Sequence, residues 1–426
     1  MVEIKARAGD LVKLRLAREE MEGTLLESYD SSVLLVKLKS GYNIGILKAS
    51  VFDCRVIKKY EKKENVKDKG VKNEKRNLPL IGLVITGGTI ASKLDARTGG
   101  VNALTSTSEF KRFYPGLFDM VDVSIEAPFM LDSGSIGPDH WFQIATSVKK
   151  LINDKEVAGV VVAHGTDTLH YTSSALSFFL RDLGKPVVLT YAQRSIDRAS
   201  SDAELNLKCA AKFALSNVAG VYVVGHADLN DNYCHALLGT KVRKLHTSRR
   251  DAFKAVNIGA IAKVWPDKVE FLSNFKARHD KSVELDAVFN DKVALLKFYP
   301  GQNPDILDYH VKEGYKGVVI EMLGLGQIAG PDVKNNWIPV IKKCIKQGMI
   351  ICGAAQTIFG RLDAKVYSTG RELEKAGVIF LDDMLSECAF VKLGWVLGHK
   401  GFKGIEKVKE KMLENVSGEF NDLLTE

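Results

Sequence analysis

The 426-residue sequence has no Cys-x-x-Cys pair, no His-Glu-x-x-His and no phosphate-cradling Gly-x-x-x-x-Gly-Lys-Ser/Thr loop. Its six cysteines, Cys54, Cys209, Cys234, Cys344, Cys352 and Cys388, are scattered. That argues against a structural zinc site and points to free thiols in a reducing cytoplasm. The missing histidine motif leaves no sign of a metal centre, and the missing loop leaves no sign of nucleotide chemistry in this chain. Long apolar runs are also lacking. Residues 157–163, interrupted by Gly159, are far too short to span a bilayer. The opening Met-Val-Glu-Ile-Lys-Ala-Arg has no apolar stretch of signal-peptide length, so the expected location is cytoplasmic. No internal repeat is evident.

What is present is ordinary for a globular protein: 46% hydrophobic and 26% charged residues. The length suits two or three domains. A formal charge of +8 permits an acidic partner such as RNA without demanding one.

Residues 1–57 read as short strands. Val12, Leu14 and Leu16 alternate with Lys13 and Arg15, and Val36 and Leu38 alternate with Lys37 and Lys39. Turn signals fall at Glu22-Gly23, at 29–32 and at 40–43. Several short antiparallel strands in so few residues predict a small β-barrel of the SH3 or Sm-like type. Residues 58–77 are rich in Lys, Glu and Asn and bury too little apolar surface to order themselves, so they read as a charged tether. From residue 78 buried strands alternate with helices. Strands are expected at 80–85, 157–163, 187–189 and 221–224, with helices at 172–183 and 203–215. A second set follows: strands at 293–298, 317–320, 349–352 and 378–381, helices at 335–347 and 386–397. This alternation predicts an α/β body of two subdomains with mainly parallel sheets, 78–280 and 281–426.

Two strand ends run into turns rich in Gly and Thr: 85–92, Ile-Thr-Gly-Gly-Thr-Ile-Ala-Ser, and 163–168, Ala-His-Gly-Thr-Asp-Thr. In open α/β sheets ligands bind beyond the carboxyl ends of strands, where glycines let the backbone approach closely. Gly88 and Gly165 expose amides there, and Thr89 presents a hydroxyl. Thr166 or Asp167 could serve as a plain helix N-cap. A hydroxyl beside a carboxylate at a helix N-terminus can equally polarise a nucleophile. His164 suits packing or hydrogen bonding better than the part of a base.

Together, in this order and spacing, the two turns resemble the signature motifs of the L-asparaginase family, and the resemblance covers residues 79–400. It implies that Thr89 is the acyl-accepting nucleophile, with Thr166, Asp167 and a lysine from a later loop assisting. Counting back from the block 251–257, Asp-Ala-Phe-Lys-Ala-Val-Asn, puts that lysine at Lys244, with Lys241 the alternative. Ser133 lies where the family has a serine that binds the substrate's α-groups, and Gly88 and Gly165 fall beside it as substrate-binding positions. Residues 93–108 read as a lid hinged at Gly99 and Gly100. The tyrosine that family members often carry there is absent, Arg97 and Thr98 occupying the region, which puts stand-alone activity in doubt.

The extra N-terminal barrel resembles the archaeal-type, tRNA-dependent amidotransferase branch of the family, as do the blocks 192–203 and 243–253. That likeness implies a subunit hydrolysing glutamine to glutamate and ammonia. The ammonia would pass to an E subunit that amidates Glu-tRNA(Gln) to Gln-tRNA(Gln). ATP, magnesium and most tRNA contact would belong to that partner, with no cofactor in this subunit. A homodimer of this subunit within a D2E2 complex is the family expectation. The alternatives are a free-standing L-asparaginase with an accessory domain and a non-enzymatic RNA-binding protein with a degenerate body.

Overall fold

The computed structural model describes residues 4–28, 30–38, 43–60, 78–94, 101–103, 107–196, 198, 200–402 and 404–424. The expected lid glycines, together with Arg97 and Thr98, and most of the tether lie outside these residues.

The N-terminal unit is a five-stranded antiparallel sheet of β1 (Leu11–Arg15), β2 (Glu20–Leu26), β3 (Val33–Leu38), β4 (Asn43–Leu47) and β5 (Asp53–Lys58), in the order β4-β3-β2-β1-β5. Its small core holds Val12, Leu14, Leu25, Leu34, Val36, Ile46 and Val51, the inward half of each alternating run. One expected turn is wrong. Glu22 and Gly23 sit inside β2, where a β-carbon on Gly23 would lie 2.5 Å from the carbonyl oxygen of Lys37 on β3. The glycine serves close strand approach, which looks the same in sequence as a turn signal. The last strand also runs through Lys58, one residue into the expected tether.

The body opens with β6 (Leu80–Ile85), the hairpin β7 (Ser92–Leu94) and β8 (Val101–Ala103), helices α1 (Thr107–Phe113) and α2 (Pro115–Phe118), and β9 (Asp122–Glu126). Then come α3 (Pro138–Ile152), β10 (Val157–Ala163), α4 (Leu169–Phe179), β11 (Leu180–Arg181), β12 (Pro186–Thr190), α5 (Ala203–Ala214) and β13 (Gly220–His226). The strands β14 (Cys234–Leu238), β15 (Val242–Lys244), β16 (Phe253–Ala255), β17 (Ala262–Val264), β18 (Val269–Phe271) and β19 (Glu284–Leu285) complete this unit. Its eight-stranded sheet has the order β18-β17-β14-β13-β12-β10-β6-β9. The five strands from β13 to β9 are parallel, and β14, β17 and β18 extend the sheet antiparallel. Along β10 the burial alternates: Val160 and Val162 face α3 and α4, while Val161 and Ala163 face the core with α5.

The second unit is a parallel sheet of β20 (Val293–Lys297), β21 (Gly317–Met322), β22 (Ile350–Ala355) and β23 (Ile379–Phe380). It is covered by α6 (Asp305–Lys312), α7 (Ile338–Lys346), α8 (Ser368–Ala376), α9 (Ser386–Gly398) and α10 (Ile405–Leu413). Helices α4 and α9 share one core between the units, with Phe178 stacked on Trp395 at 5.5 Å. The helix expected at 172–183 instead starts at Leu169 and stops at Phe179. Leu180 and Arg181 turn extended to pair with Leu285 and Glu284, so a tertiary strand pairing overrides the helical pattern.

Candidate active site

Strands β6 and β10 are parallel neighbours in register, Ile85 opposite Ala163, so their carboxyl ends open at the same edge of the sheet. Thr86 ties the ends together: its amide and its hydroxyl both donate to the Ala163 carbonyl, at 3.1 and 3.0 Å. The loops that follow then touch backbone to backbone. Gly88 has φ 75°, and a β-carbon on it would lie 2.4 Å from the Gly165 α-carbon. Gly87, at φ 115°, is pressed as closely on the Leu131 carbonyl oxygen, 2.3 Å from where a β-carbon would stand. Thr89, next to Gly88, is half-buried and starts a short 3-10 turn through Ala91.

Neither Thr166 nor Asp167 caps the following helix. Thr168 holds the N-cap position of α4, and its hydroxyl donates to the Ser133 carbonyl at 2.6 Å. The side chains of Thr166 and Asp167 go to Lys244 instead. The Lys244 ammonium lies 2.7 Å from Thr166 Oγ1 and 2.8 Å from Asp167 Oδ1. Lys244 ends β15 in a short hairpin, opposite Phe253 of β16, and the hairpin is closed by the Leu245 amide on the Ala252 carbonyl at 2.7 Å. Its side chain is mostly buried at 13% exposure, while Asp167 at 71% faces the solvent side.

Ser133 is buried, and its hydroxyl oxygen accepts the Asp167 amide at 3.0 Å. A β-carbon on Gly165 would lie 2.8 Å from the Ser133 side chain. Ser133 therefore braces the second loop; Gly88 is a glycine because the loops meet there, and Gly165 because Ser133 fills the space beside it. His164 is fully buried between the Gly165 carbonyl, 2.7 Å from Nδ1, and the Thr172 hydroxyl, 3.0 Å from Nε2. A carbonyl can only accept, so Nδ1 carries the proton and Nε2 accepts from Thr172. Burial pushes its pKa down to about 4.

Lys241, the alternative lysine, is not at the site. It is wholly buried and its ammonium lies 2.6 Å from the Asp383 carboxylate. Sequence reading did not find Arg243, His170 and Glu387, which line a cavity of about 420 Å³ together with Asp167 and Lys244. Arg243 Nη2 is 3.0 Å from Glu387 Oε1. Glu387 comes from the first turn of α9, more than a hundred residues downstream, and no local motif marks it.

Two glycine-bearing strand ends in contact, with a hydroxyl, a carboxylate and an amine converging beside them, define the asparaginase and glutaminase class of amidohydrolases. Residues 80–277 match the family described as asparaginase, N-terminal, and residues 292–412 match the glutaminase/asparaginase C-terminal domain. Residues 6–57 match the GatD N-terminal domain. Over 98% of its length the chain is 44% identical to the D subunit of the glutamyl-tRNA(Gln) amidotransferase of Thermococcus kodakarensis, of which it covers 93%. It is 45% identical to that of Pyrococcus abyssi, again over 98% of this chain and covering 95% of the relative. The chain belongs to the family of glutamyl-tRNA(Gln) amidotransferase D subunits. Among solved structures it resembles the thermostable L-asparaginase from Thermococcus kodakarensis, with TM-score 0.71 and 32% identity over 80% of this chain and 99% of that one. It also resembles L-asparaginase I from Vibrio cholerae, with TM-score 0.67 and 25% identity over 81% of this chain and 99% of that one.

Proposed function

We infer that the chain is the glutamine-hydrolysing subunit of a tRNA-dependent amidotransferase, supplying ammonia for the conversion of Glu-tRNA(Gln) to Gln-tRNA(Gln). The observation that carries the chemistry is the Lys244 amine held at once by Thr166 and Asp167, on a loop in backbone contact with Gly88. The Thr89 hydroxyl attacks the side-chain amide carbon of glutamine. An unassisted threonine is a poor nucleophile at neutral pH, so its proton passes into the Thr166–Lys244–Asp167 network. Such positioned proton transfer is worth roughly 10²–10⁴-fold. Backbone amides around Gly88 or Thr166 would stabilise the developing oxyanion, a contribution of about 10²–10³-fold. Collapse of the tetrahedral adduct breaks the C–N bond as the proton taken from Thr89 passes from the network to the leaving nitrogen, which departs as ammonia. Water then hydrolyses the Thr89 ester, returning the hydroxyl and freeing glutamate. Ser133 holds the second loop and places its hydroxyl near the substrate's α-groups.

We assign ATP and magnesium to an E-type partner, since no phosphate-cradling loop occurs in this sequence. Most contact with the tRNA falls to the same partner, and the complex is read as two copies of each subunit. Full-length similarity to the D subunits favours this reading over a free-standing asparaginase. The deciding experiment compares turnover of glutamine and asparagine by the purified chain, with and without the partner and Glu-tRNA(Gln). Weak glutamine hydrolysis alone with marked stimulation by the full system is expected. Full, unstimulated activity with a preference for asparagine would contradict it.

A further inference from the structure

The hairpin that carries Lys244 is gripped from the second α/β unit at two points. Three residues before Lys244, the Lys241 ammonium donates to the Asp383 carboxylate at 2.6 Å and to its carbonyl at 2.9 Å. One residue before Lys244, Arg243 lies 3.0 Å from Glu387. Asp383 lies in the buried turn leading into α9 and Glu387 in the first turn of that helix. That turn is itself pinned. Asp383 accepts from the Asn421 amide and side chain at 3.1 and 2.8 Å, and the Ser386 hydroxyl lies 2.7 Å from Glu321 on β21 and 3.3 Å from Glu387. His170 stands 3.8 Å from Glu387. Burial, with Arg243 and Lys244 nearby, drives its pKa to about 3, so it is neutral and Arg243 is the cation that balances Glu387.

We propose that Arg243 and Glu387 are positioning residues: their ion pair registers the Lys244 hairpin against the second α/β unit, so that the amine reaches Thr166 and Asp167 only when the two units are docked. The inference rests on the reading of Lys244 as part of the catalytic network. Unlike an exposed ion pair, which solvent screening leaves weak, this one is mostly withdrawn from water, with side-chain exposures of 24% and 7%. Losing either partner leaves the other buried charge uncompensated, and the hairpin is free to shift. A displacement of about 1 Å at a reacting group lowers turnover by up to ~10²-fold. Docking between the units thereby becomes a point at which a partner can set the rate of amide hydrolysis.

The test is steady-state glutamine hydrolysis by the full chain carrying Arg243→Ala, Glu387→Gln, Arg243→Lys or both of the first two, with thermal melts in parallel. Each of the first two substitutions is expected to lower kcat by ~10-fold or more while KM stays within about twofold. Arg243→Lys, which keeps a charge for Glu387, is expected to fall between wild type and Arg243→Ala. The double variant is expected to lose less than the product of the single losses, because the pair acts as a unit. Should Arg243→Ala not fold, the nearly isosteric Glu387→Gln carries the test. Folded single variants with wild-type kcat, or with losses that appear only in thermal stability, overturn the proposal. If Lys244→Ala is inactive while those variants are fully active, this inference alone fails. If Lys244→Ala is itself fully active, the reading beneath it fails.

Discussion

Gly88 and Gly165 meet so closely that a β-carbon on the first would stand 2.4 Å from the α-carbon of the second. This contact, between loops that begin 77 residues apart at Thr86 and Ala163, joins the loop that carries Thr89 to the loop that carries Thr166. A methyl group on Gly88 would push the loops apart, and one on Gly165 would displace Ser133, which braces the second loop. We expect Gly88→Ala and Gly165→Ala each to reduce kcat by roughly 10²-fold or more. Gly88→Ala suffers further from its left-handed φ of 75°. Kinetics on protein with unchanged far-ultraviolet circular dichroism would check this.

Lys244 and Lys241 are expected to differ in kind. Lys244→Ala removes the amine shared by Thr166 and Asp167, and kcat is predicted to fall ~10²–10⁴-fold with little change in melting temperature. Thr166→Val, which keeps the shape and deletes the hydroxyl, should fall in the same range. Lys241→Ala leaves the buried Asp383 carboxylate unpaired, so it should lower the melting temperature first. Parallel kinetics and melts separate the two lysines.

The chain's last described segment is anchored by a second buried pair. Lys392 and Glu419 are both wholly buried and 2.6 Å apart, and Glu419 also accepts the amides of Val416 and Ser417. Glu419→Ala strands the Lys392 ammonium away from water and frees two amides. A loss of about 3–5 kcal/mol is expected in urea unfolding.

His164 makes stability depend on pH. Its folded pKa of about 4 lies below the ordinary 6.5, mainly because burial disfavours the charged ring. Between those values the unfolded chain binds more protons than the folded one, so stability is fully present above pH 6.5 and declines as pH falls toward about 4. His170, driven to about 3 by burial, acts with the same sign. The urea midpoint of wild type should therefore drop more steeply between pH 7 and pH 5 than that of His164→Asn, which cannot titrate.

Much of this was legible from residue order alone, for a physical reason. Strands buried on both faces, such as β6 and β10, announce themselves as continuous apolar runs, and the glycine-rich turns at their ends sit where the sheet must present a ligand site. Thr89, Thr166 and Asp167 lie on such landmarks, whereas Ser133 and Lys244 are reached only through the family resemblance of their loops. The antiparallel extension β14, β17 and β18 was not foreseen, because strands of three to five residues carry too few alternations to stand out. The fifteen-residue helix α3 was missed as well, although Trp141, Ile144, Ala145, Val148, Leu151 and Ile152 fall at helical spacing. Gly23 misled because a glycine needed for close strand approach reads like a turn. The ion pairs of Lys241 with Asp383 and Arg243 with Glu387 span more than a hundred residues, and nothing local on either side predicts the other.

The most direct test of this chemistry follows nitrogen. Glutamine labelled with ¹⁵N in its side-chain amide is supplied to the chain together with its E-type partner, ATP, magnesium and Glu-tRNA(Gln), and the tRNA-bound amino acid is analysed. The label should appear in the amide of glutaminyl-tRNA with wild-type protein and fall to background with Thr89→Ala and with Lys244→Ala. Undiminished transfer with either variant, or no transfer with wild type, would contradict it.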